Sequence, residues 1–162
     1  MRLNESIEIS APQTLVWDYL ADPTKYLHFM SGVTRWQPAS DRRSGLGARY
    51  RMLIRVGAAE VGGLIEFVEW RPETDMAWTS VTGIDQRGRW RVRAVADRLT
   101  RVELRYAYGV AGSGIAGLVA ERVAAPAISR HLRRSLQQLK RQVEHEQLRA
   151  EARRRREAAS AA

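Results

Sequence analysis

The chain has 162 residues and a mass of 18.4 kDa, with 44% hydrophobic residues, which suits one domain with a real core. It contains no cysteine, which excludes disulfides, thiolate catalysis and Cys-ligated metal, and no apolar run nears the ~20 residues that span a bilayer. The net charge is +9 with a pI near 10.9, but from Glu144 onward five Arg face four Glu, so the run Arg153–Arg156 does not carry the excess.

Met1-Arg2-Leu3-Asn4 leads straight into a strand pattern, so no signal peptide is expected and the expected compartment is the cytoplasm. Leu3 to Ser10 alternates as a strand. Ser10 or Ala11 then precedes Pro12, which suits the first turn of a short helix to Leu20, with Val16 and Leu20 on one face. Asp22-Pro23 restarts the chain as a second short helix, capped by Asp22, carrying Tyr26, Leu27, Phe29 and Met30 and ended by Gly32. Val33 to Pro38 is the next strand, and Asp41 to Gly47 is a polar turn.

From Arg49 to Val56 the pattern alternates cleanly, with Tyr50, Met52, Ile54 and Val56 on one side and Arg49, Arg51 and Arg55 on the other. Glu60 to Trp70 continues as a strand, with Gly62-Gly63 expected at a bulge or bend. Arg71 to Asp75 is a turn and Met76 to Thr82 a strand. Trp90, Val92 and Ala94 alternate with Arg89, Arg91 and Arg93. Across the turn at Asp97 to Thr100, Val102, Leu104, Tyr106 and Tyr108 alternate with Glu103 and Arg105. One apolar and one charged face is the pattern of an antiparallel hairpin with one wet side. Cross-strand acids such as Glu103 partner some of the arginines, too few to neutralise the rows.

Gly109 to Gly114 is expected as a hinge into a long last helix. Ile115, Leu118, Val119, Val123, Ile128, Leu132, Leu136, Leu139 and Val143 form one stripe at spacings of three and four. Pro126 is expected to kink or divide this helix. Residues 1–145 then form one domain, and 146–162 a charged, Ala-rich tail, expected as a frayed helical extension with some disorder. The pattern predicts an α+β fold: a curved antiparallel seven-stranded sheet wrapped around the C-terminal helix, with two short helices after strand 1.

The order and spacing of Ser10-Ala11-Pro12, Val16-Trp17, Asp22-Pro23, Tyr26, Glu69-Trp70-Arg71-Pro72, Leu136, Leu139-Lys140 and Glu144 resemble the helix-grip fold of the START-like, birch-pollen-allergen-like (SRPBCC) superfamily. Within it, the chain looks like the bacterial polyketide cyclase/dehydrase and lipid-transport family over about residues 3–145. The resemblance implies a hydrophobic pocket between sheet and helix for lipids, polyketides or isoprenoid quinones. Some members of that superfamily are aromatase/cyclases and many only bind or carry, so fold alone does not settle function.

Several residues are candidates for such a pocket. Tyr26, Phe29, Tyr50, Met52, Phe67, Trp78 and Trp90, with Trp36 and Ile65, form its expected wall, and at these positions they are equally core. Tyr106 and Tyr108 share the inward face of the last strand, where a phenol either orients or protonates a bound carbonyl or packs with its hydroxyl satisfied. Leu118 and Arg122 lean from the last helix. Arg122 either binds an anionic group, pairs with Glu121 or Glu69, or reaches solvent. His28 lines a pocket mouth or is simply exposed, and His145 is expected at the surface. Gly112, Gly114 and Gly117 spell G-x-G-x-x-G, but before a lone terminal helix this does not make a dinucleotide site.

No metal site and no cofactor are expected. The reading is a binding or carrier protein for a hydrophobic small molecule. An aromatase/cyclase-type enzyme is the alternative, and a protein making weak anionic-membrane contact or, less in keeping with the pattern, nucleic-acid contact is a third. No catalytic residue is assigned, and the sequence leaves the oligomeric state open.

Overall fold

A computed structural model describes residues 1–109 and 114–161, without the side chains of 114–123. Strand β1 (Arg2–Ile9) is followed by helix α1 (Gln13–Ala21), a 3-10 turn (Pro23–Lys25) and helix α2 (Tyr26–Phe29). Strands β2 (Val33–Pro38), β3 (Arg49–Val56), β4 (Ala59–Arg71), β5 (Asp75–Gly83), β6 (Asp85–Ala96) and β7 (Leu99–Gly109) precede helix α3 (Gly114–Ser160). The seven strands form one antiparallel sheet in the order β1-β7-β6-β5-β4-β3-β2. Six of them meander in sequence, and β1 returns to pair beside β7. The helix-grip architecture expected from the sequence is the one observed.

Local chemistry explains the element borders. Pro12 stands one position earlier than expected: it caps α1 with extended backbone and its carbonyl accepts from Val16 N–H at 3.1 Å. Asp22 caps the next turn as expected, accepting from Thr24 N–H, with Pro23 at the first position. The β3–β4 hairpin turns on Gly57, whose φ of 61° suits the first central position of a mirror-image turn.

The backbones of β3, β4 and β5 approach one another closely at two glycines of β4. A Cβ on Gly62 would lie 2.1 Å from the Met52 carbonyl oxygen, and one on Gly63 would lie 2.0 Å from that of Thr82. Only glycine lets the backbones approach this closely. The pairing shift itself falls slightly later, between Leu64 and Ile65 against β5.

The inner face of the sheet and one stripe of α3 make the core. Ile128, Leu132, Leu136, Leu139 and Val143 of α3 are buried against Ile9, Val102, Leu104, Val16 and Leu20. Each such side chain contributes about 1.5–3 kcal/mol by leaving water. Polar ties fix the helix just past its middle: Lys140 Nζ donates to the Glu8 carbonyl at 2.7 Å, and Ser10 N–H donates to Glu144 Oε1 at 2.8 Å. Burial raises the Glu144 pKa, but hydrogen bonds and charge from Lys140 and Ser10 outweigh it and hold the carboxyl below its usual range.

Helix α3 continues through Pro126 as one element. The expected division does not occur, because proline forfeits a single i→i−4 bond and the buried stripe from Ile128 onward anchors the remaining turns to the sheet. The tail is helical to Ser160, in keeping with its Ala, Arg, Glu and Gln content. Gln147 bonds Glu151 one turn on at 2.8 Å, and Glu151 also pairs with Arg98. Val110 to Ser113, including Gly112 and most of the expected hinge, lie outside the described residues.

Candidate functional site

The space between sheet and helix has two halves. One is filled with aromatic rings. Trp36 is sandwiched between Tyr26 and Tyr50, each ring centroid 4.4 Å from its own and nearly parallel to it. Phe29 meets Trp90 edge-on, and Phe67 meets both Trp70 and Trp78 the same way. Tyr26, Phe29, Tyr50, Met52, Phe67, Trp78 and Trp90 are all buried in this cluster. In this arrangement the predicted wall residues touch one another.

Polar atoms in this half are poorly served. The indole N–H groups of Trp36 and Trp78 have no acceptor among the described residues. That of Trp90 also lacks one at bonding geometry, although it acts on the Tyr26 hydroxyl. Tyr26 Oη donates only to Met76 Sδ, at 3.4 Å, a weak acceptor. Burial pushes the Tyr26 phenol far above its ordinary pKa, the Trp90 indole opposing it in part. The group stays protonated.

The other half is open. Ile54 and Val56 of β3, Ala59, Val61 and Gly62 of β4, Ile84 between β5 and β6, Gln86 of β6, Tyr106 and Tyr108 of β7, and Ala124 and Ile128 of α3 line a cavity of about 210 Å³. Alternation along β3, β4 and β7 turns these residues inward, and their small or aliphatic side chains leave room that the aromatic half fills. Of the predicted site residues, Tyr106 and Tyr108 stand on this wall. Leu118 and Arg122 belong to α3, but their side chains lie outside the described residues. Glu69, weighed as a partner for Arg122, lies on the outer face in an ion pair with Arg89.

The sequence reading missed Gln86, the polar residue that lines this cavity beside Tyr106 and Tyr108. It is 2% exposed, and its Oε1 accepts a hydrogen bond from Tyr106 Oη at 2.6 Å. Its backbone N–H donates to Ser80 Oγ at 3.2 Å. A polar residue at an inward position was legible, since Gln86, Gly88, Trp90 and Val92 alternate on one face. Burial, helped by the neighbouring Tyr108, pushes the Tyr106 phenol well above its usual pKa. Tyr106 is thus a neutral donor with its proton already committed.

His131 fastens α3 to the sheet beside this cavity. Its ring Nε2 lies 3.1 Å from the Arg55 carbonyl oxygen and its Nδ1 lies 3.2 Å from Ser31 Oγ. Because a carbonyl only accepts, Nε2 carries the proton. Burial lowers the His131 pKa, with the Arg55 carbonyl opposing and the Arg134 and Arg130 charges assisting. A Cβ on Gly32 would sit 2.6 Å from this ring, so glycine is required there. His28 and His145 are exposed, beside Gln138 and Arg141 in a surface depression.

A larger concavity, about 580 Å³, lies on the outer face of the sheet, between Arg87, Arg89, Arg105 and Glu69, and the Trp78 ring covers Gly88 beneath it. It is open and charged, unlike the gripped space. Several arginines of that face are paired: Arg89 with Glu69, Arg91 and Arg93 with Asp75, and Arg101 with Glu8. Arg105 pairs with Glu103 on its own strand rather than across strands. Burial raises the Asp75 pKa, but Arg93 and Arg91 outweigh it and the carboxyl stays ionised well below its normal range. Among the described residues no cluster of His, Asp and Glu is arranged to hold a metal ion, and no helix is long and apolar enough to cross a membrane.

A family model described as polyketide cyclase/dehydrase and lipid transport matches residues 1–144. No curated protein sequence matches the chain. Among solved structures, the Zhui aromatase/cyclase from Streptomyces sp. R1128 superposes with a TM-score of 0.76 at 16% identity, covering 89% of this chain and 93% of that one. A protein of Thermus thermophilus gives 0.75 at 20% identity, covering 88% of this chain and 97% of that one. A START superfamily protein from Mycobacterium smegmatis gives 0.66 at 12% identity, over 89% and 97%. At these identities the likeness is one of fold.

Proposed function

We propose that this chain, which belongs to the polyketide cyclase/dehydrase and lipid transport family, binds a hydrophobic small molecule of the lipid, polyketide or quinone kind between β3, β4, β7 and α3, as a carrier or binding protein. The observation that carries this reading is the 210 Å³ cavity, apolar on its described walls except at Gln86, Tyr106 and Tyr108. Apolar contact supplies affinity in such a site, and a few polar atoms supply orientation.

Cyclisation with loss of water needs a group that gives a proton and one that takes it, with pKa values near the working pH. The described wall offers tyrosines alone as titratable groups. Tyr106 has its proton engaged by Gln86 and its pKa raised. That chemistry favours binding over catalysis, although the Zhui aromatase/cyclase shares the fold.

Native mass spectrometry of freshly purified protein, followed by organic extraction, tests the reading. A stoichiometric apolar molecule that leaves on extraction is the expected result. Protein that is empty and also fails to take up a fluorescent fatty acid or a polyketide mimic would count against it.

A further inference from the structure

The net charge of +9 is not spread evenly over the fold. Most arginines of the sheet are paired, among them Arg49 with Glu66, Arg89 with Glu69, and Arg91 and Arg93 with Asp75. Helix α3 differs. From residue 130 to 157 it holds ten Lys and Arg against four Glu, a net of +6. Its acids are turned away from solvent. Glu144 holds Ser10 and Lys140, Glu146 holds Lys25, and Glu151 holds Arg98. Glu157 falls two heptads after Val143, in line with the buried stripe.

The opposite side of α3 is free of acid. Arg130, Arg134, Arg141, Leu148 and Arg155 recur there at helical spacing, across the helix from Ile128, Leu132, Leu139 and Val143, and all five are exposed. Arg149 and Arg156 flank them and are exposed too. None of these six arginines has an ion-pair partner among the described residues. The one acidic side chain outside those residues, Glu121, precedes Arg130 by about two and a half turns. From Arg130 to Arg156 the stripe begins beyond Pro126 and runs about 39 Å in one continuous helix.

We infer that this face of α3 docks on an anionic bilayer surface, whose phosphate headgroups become the counter-ions of the arginine stripe. The helix is seated on the sheet by its other side, so a partner meets it from one side only, as a plane does. A duplex presents its phosphates along curved grooves, whereas a bilayer presents them along the whole stripe. Helix α3 has no aromatic residue, the platform on which unstacked bases rest. Leu148, 64% exposed, stands within the stripe, where an apolar side chain enters the headgroup layer beside the arginine stems. The cavity lies on the reverse side of the helix, so docking is independent of what the cavity holds.

The test uses the full chain with vesicles of phosphatidylcholine, alone or with about a third phosphatidylglycerol. The variant Arg134→Gln/Arg141→Gln/Arg155→Gln removes three charges from the stripe. As a control of equal net charge, Arg2→Gln/Arg51→Gln/Arg87→Gln removes three exposed charges from the sheet. Cosedimentation is expected with the anionic vesicles alone, and is expected to weaken steeply with salt. The helix variant is expected to lose about thirty- to a hundredfold in affinity, and the sheet variant less than about threefold. Because the chain has no cysteine, Leu148→Cys accepts a single environment-sensitive dye, whose emission is expected to move to the blue on anionic vesicles. The same dye on Val81→Cys, an exposed position of β5, is expected to report no change.

No binding to anionic vesicles at low salt would overturn the inference, as would equal losses in the two triple variants. A short DNA duplex that binds more tightly than the vesicles, and is released by the same helix variant, would overturn it in favour of nucleic acid. Should the helix variant not fold, the dye at position 148 decides, and an unshifted emission overturns the inference. Each of these outcomes leaves the proposed cavity function standing.

Discussion

The two halves of the space under α3 are built on the same sheet face by the same alternation, yet one is solid and the other hollow. In the solid half, Phe29, Trp36, Tyr50, Phe67 and Trp90 interlock at ring-centroid distances of 4.4–6.4 Å. In the hollow half, Val61, Gly62, Ile84 and Ala124 line the cavity, with Ala59 at its exposed rim. Among the described residues of β4 and the β5–β6 connection, the difference follows side-chain volume. Alternation decides which side of a strand is buried, whereas the size of the residues on it decides how far the buried space is filled.

The sharpest way to break this comparison is to exchange the properties of the halves. Phe29→Ala in the solid half is expected to cost about 3–5 kcal/mol, the range for emptying a packed aromatic site, measured by urea unfolding. Val61→Phe in the hollow half is expected to weaken an apolar probe such as ethylbenzene about a hundredfold, roughly 2.7 kcal/mol, with stability unchanged or slightly raised because a void is filled. If Val61→Phe destabilised the fold as strongly as Phe29→Ala, the two halves would be equally packed and the distinction would fail.

Smaller effects sharpen the same boundary. Ile128 sits where the buried stripe of α3 meets the cavity. Because one side of it already faces empty space, Ile128→Ala is expected to cost about 2 kcal/mol, the low end for such truncations, and to admit larger probes. Calorimetry with a graded series of alkylbenzenes reads the second effect.

Glu144, far from the cavity, should affect stability without touching binding. Its folded pKa is depressed, so its contribution is present above the unfolded-state carboxyl pKa and is lost as pH falls through the lower, folded value. Glu144→Gln is expected to cost about 1 kcal/mol at neutral pH and to flatten that part of the acid unfolding profile, with probe affinity unchanged.

The sheet and helices were legible because their signals are local: Trp90 and Val92 against Arg91 and Arg93, Asp22 before Pro23, and Ile128 to Val143 at helical spacing. The family resemblance was legible because its residues sit at fixed places in that order. Two of its groups meet in space, Ser10 with Glu144 and Trp17 with Trp70, ring centroids 5.7 Å apart. Gln86 was overlooked because the clean alternation begins to the eye at Arg89, although its inward parity runs back through Gly88. The partition between filled and empty space was not legible, since it depends on how rings from α2, β2, β3 and β4 stack across long sequence separations. The apolar pattern at Tyr50 and at Ile54 is the same, and tertiary packing puts the first in the aromatic stack and the second on the cavity.

The most direct measurement is a titration of the isoleucine δ1-methyl NMR signals of the full chain with ethylbenzene. Ile54, Ile84 and Ile128 line the cavity, whereas Ile9 and Ile65 are fully buried outside it. The account predicts saturable shifts at the first three, none at the last two, and loss of all of them in Val61→Phe. Shifts centred on Ile9 or Ile65, or no saturable shift at all, would contradict it.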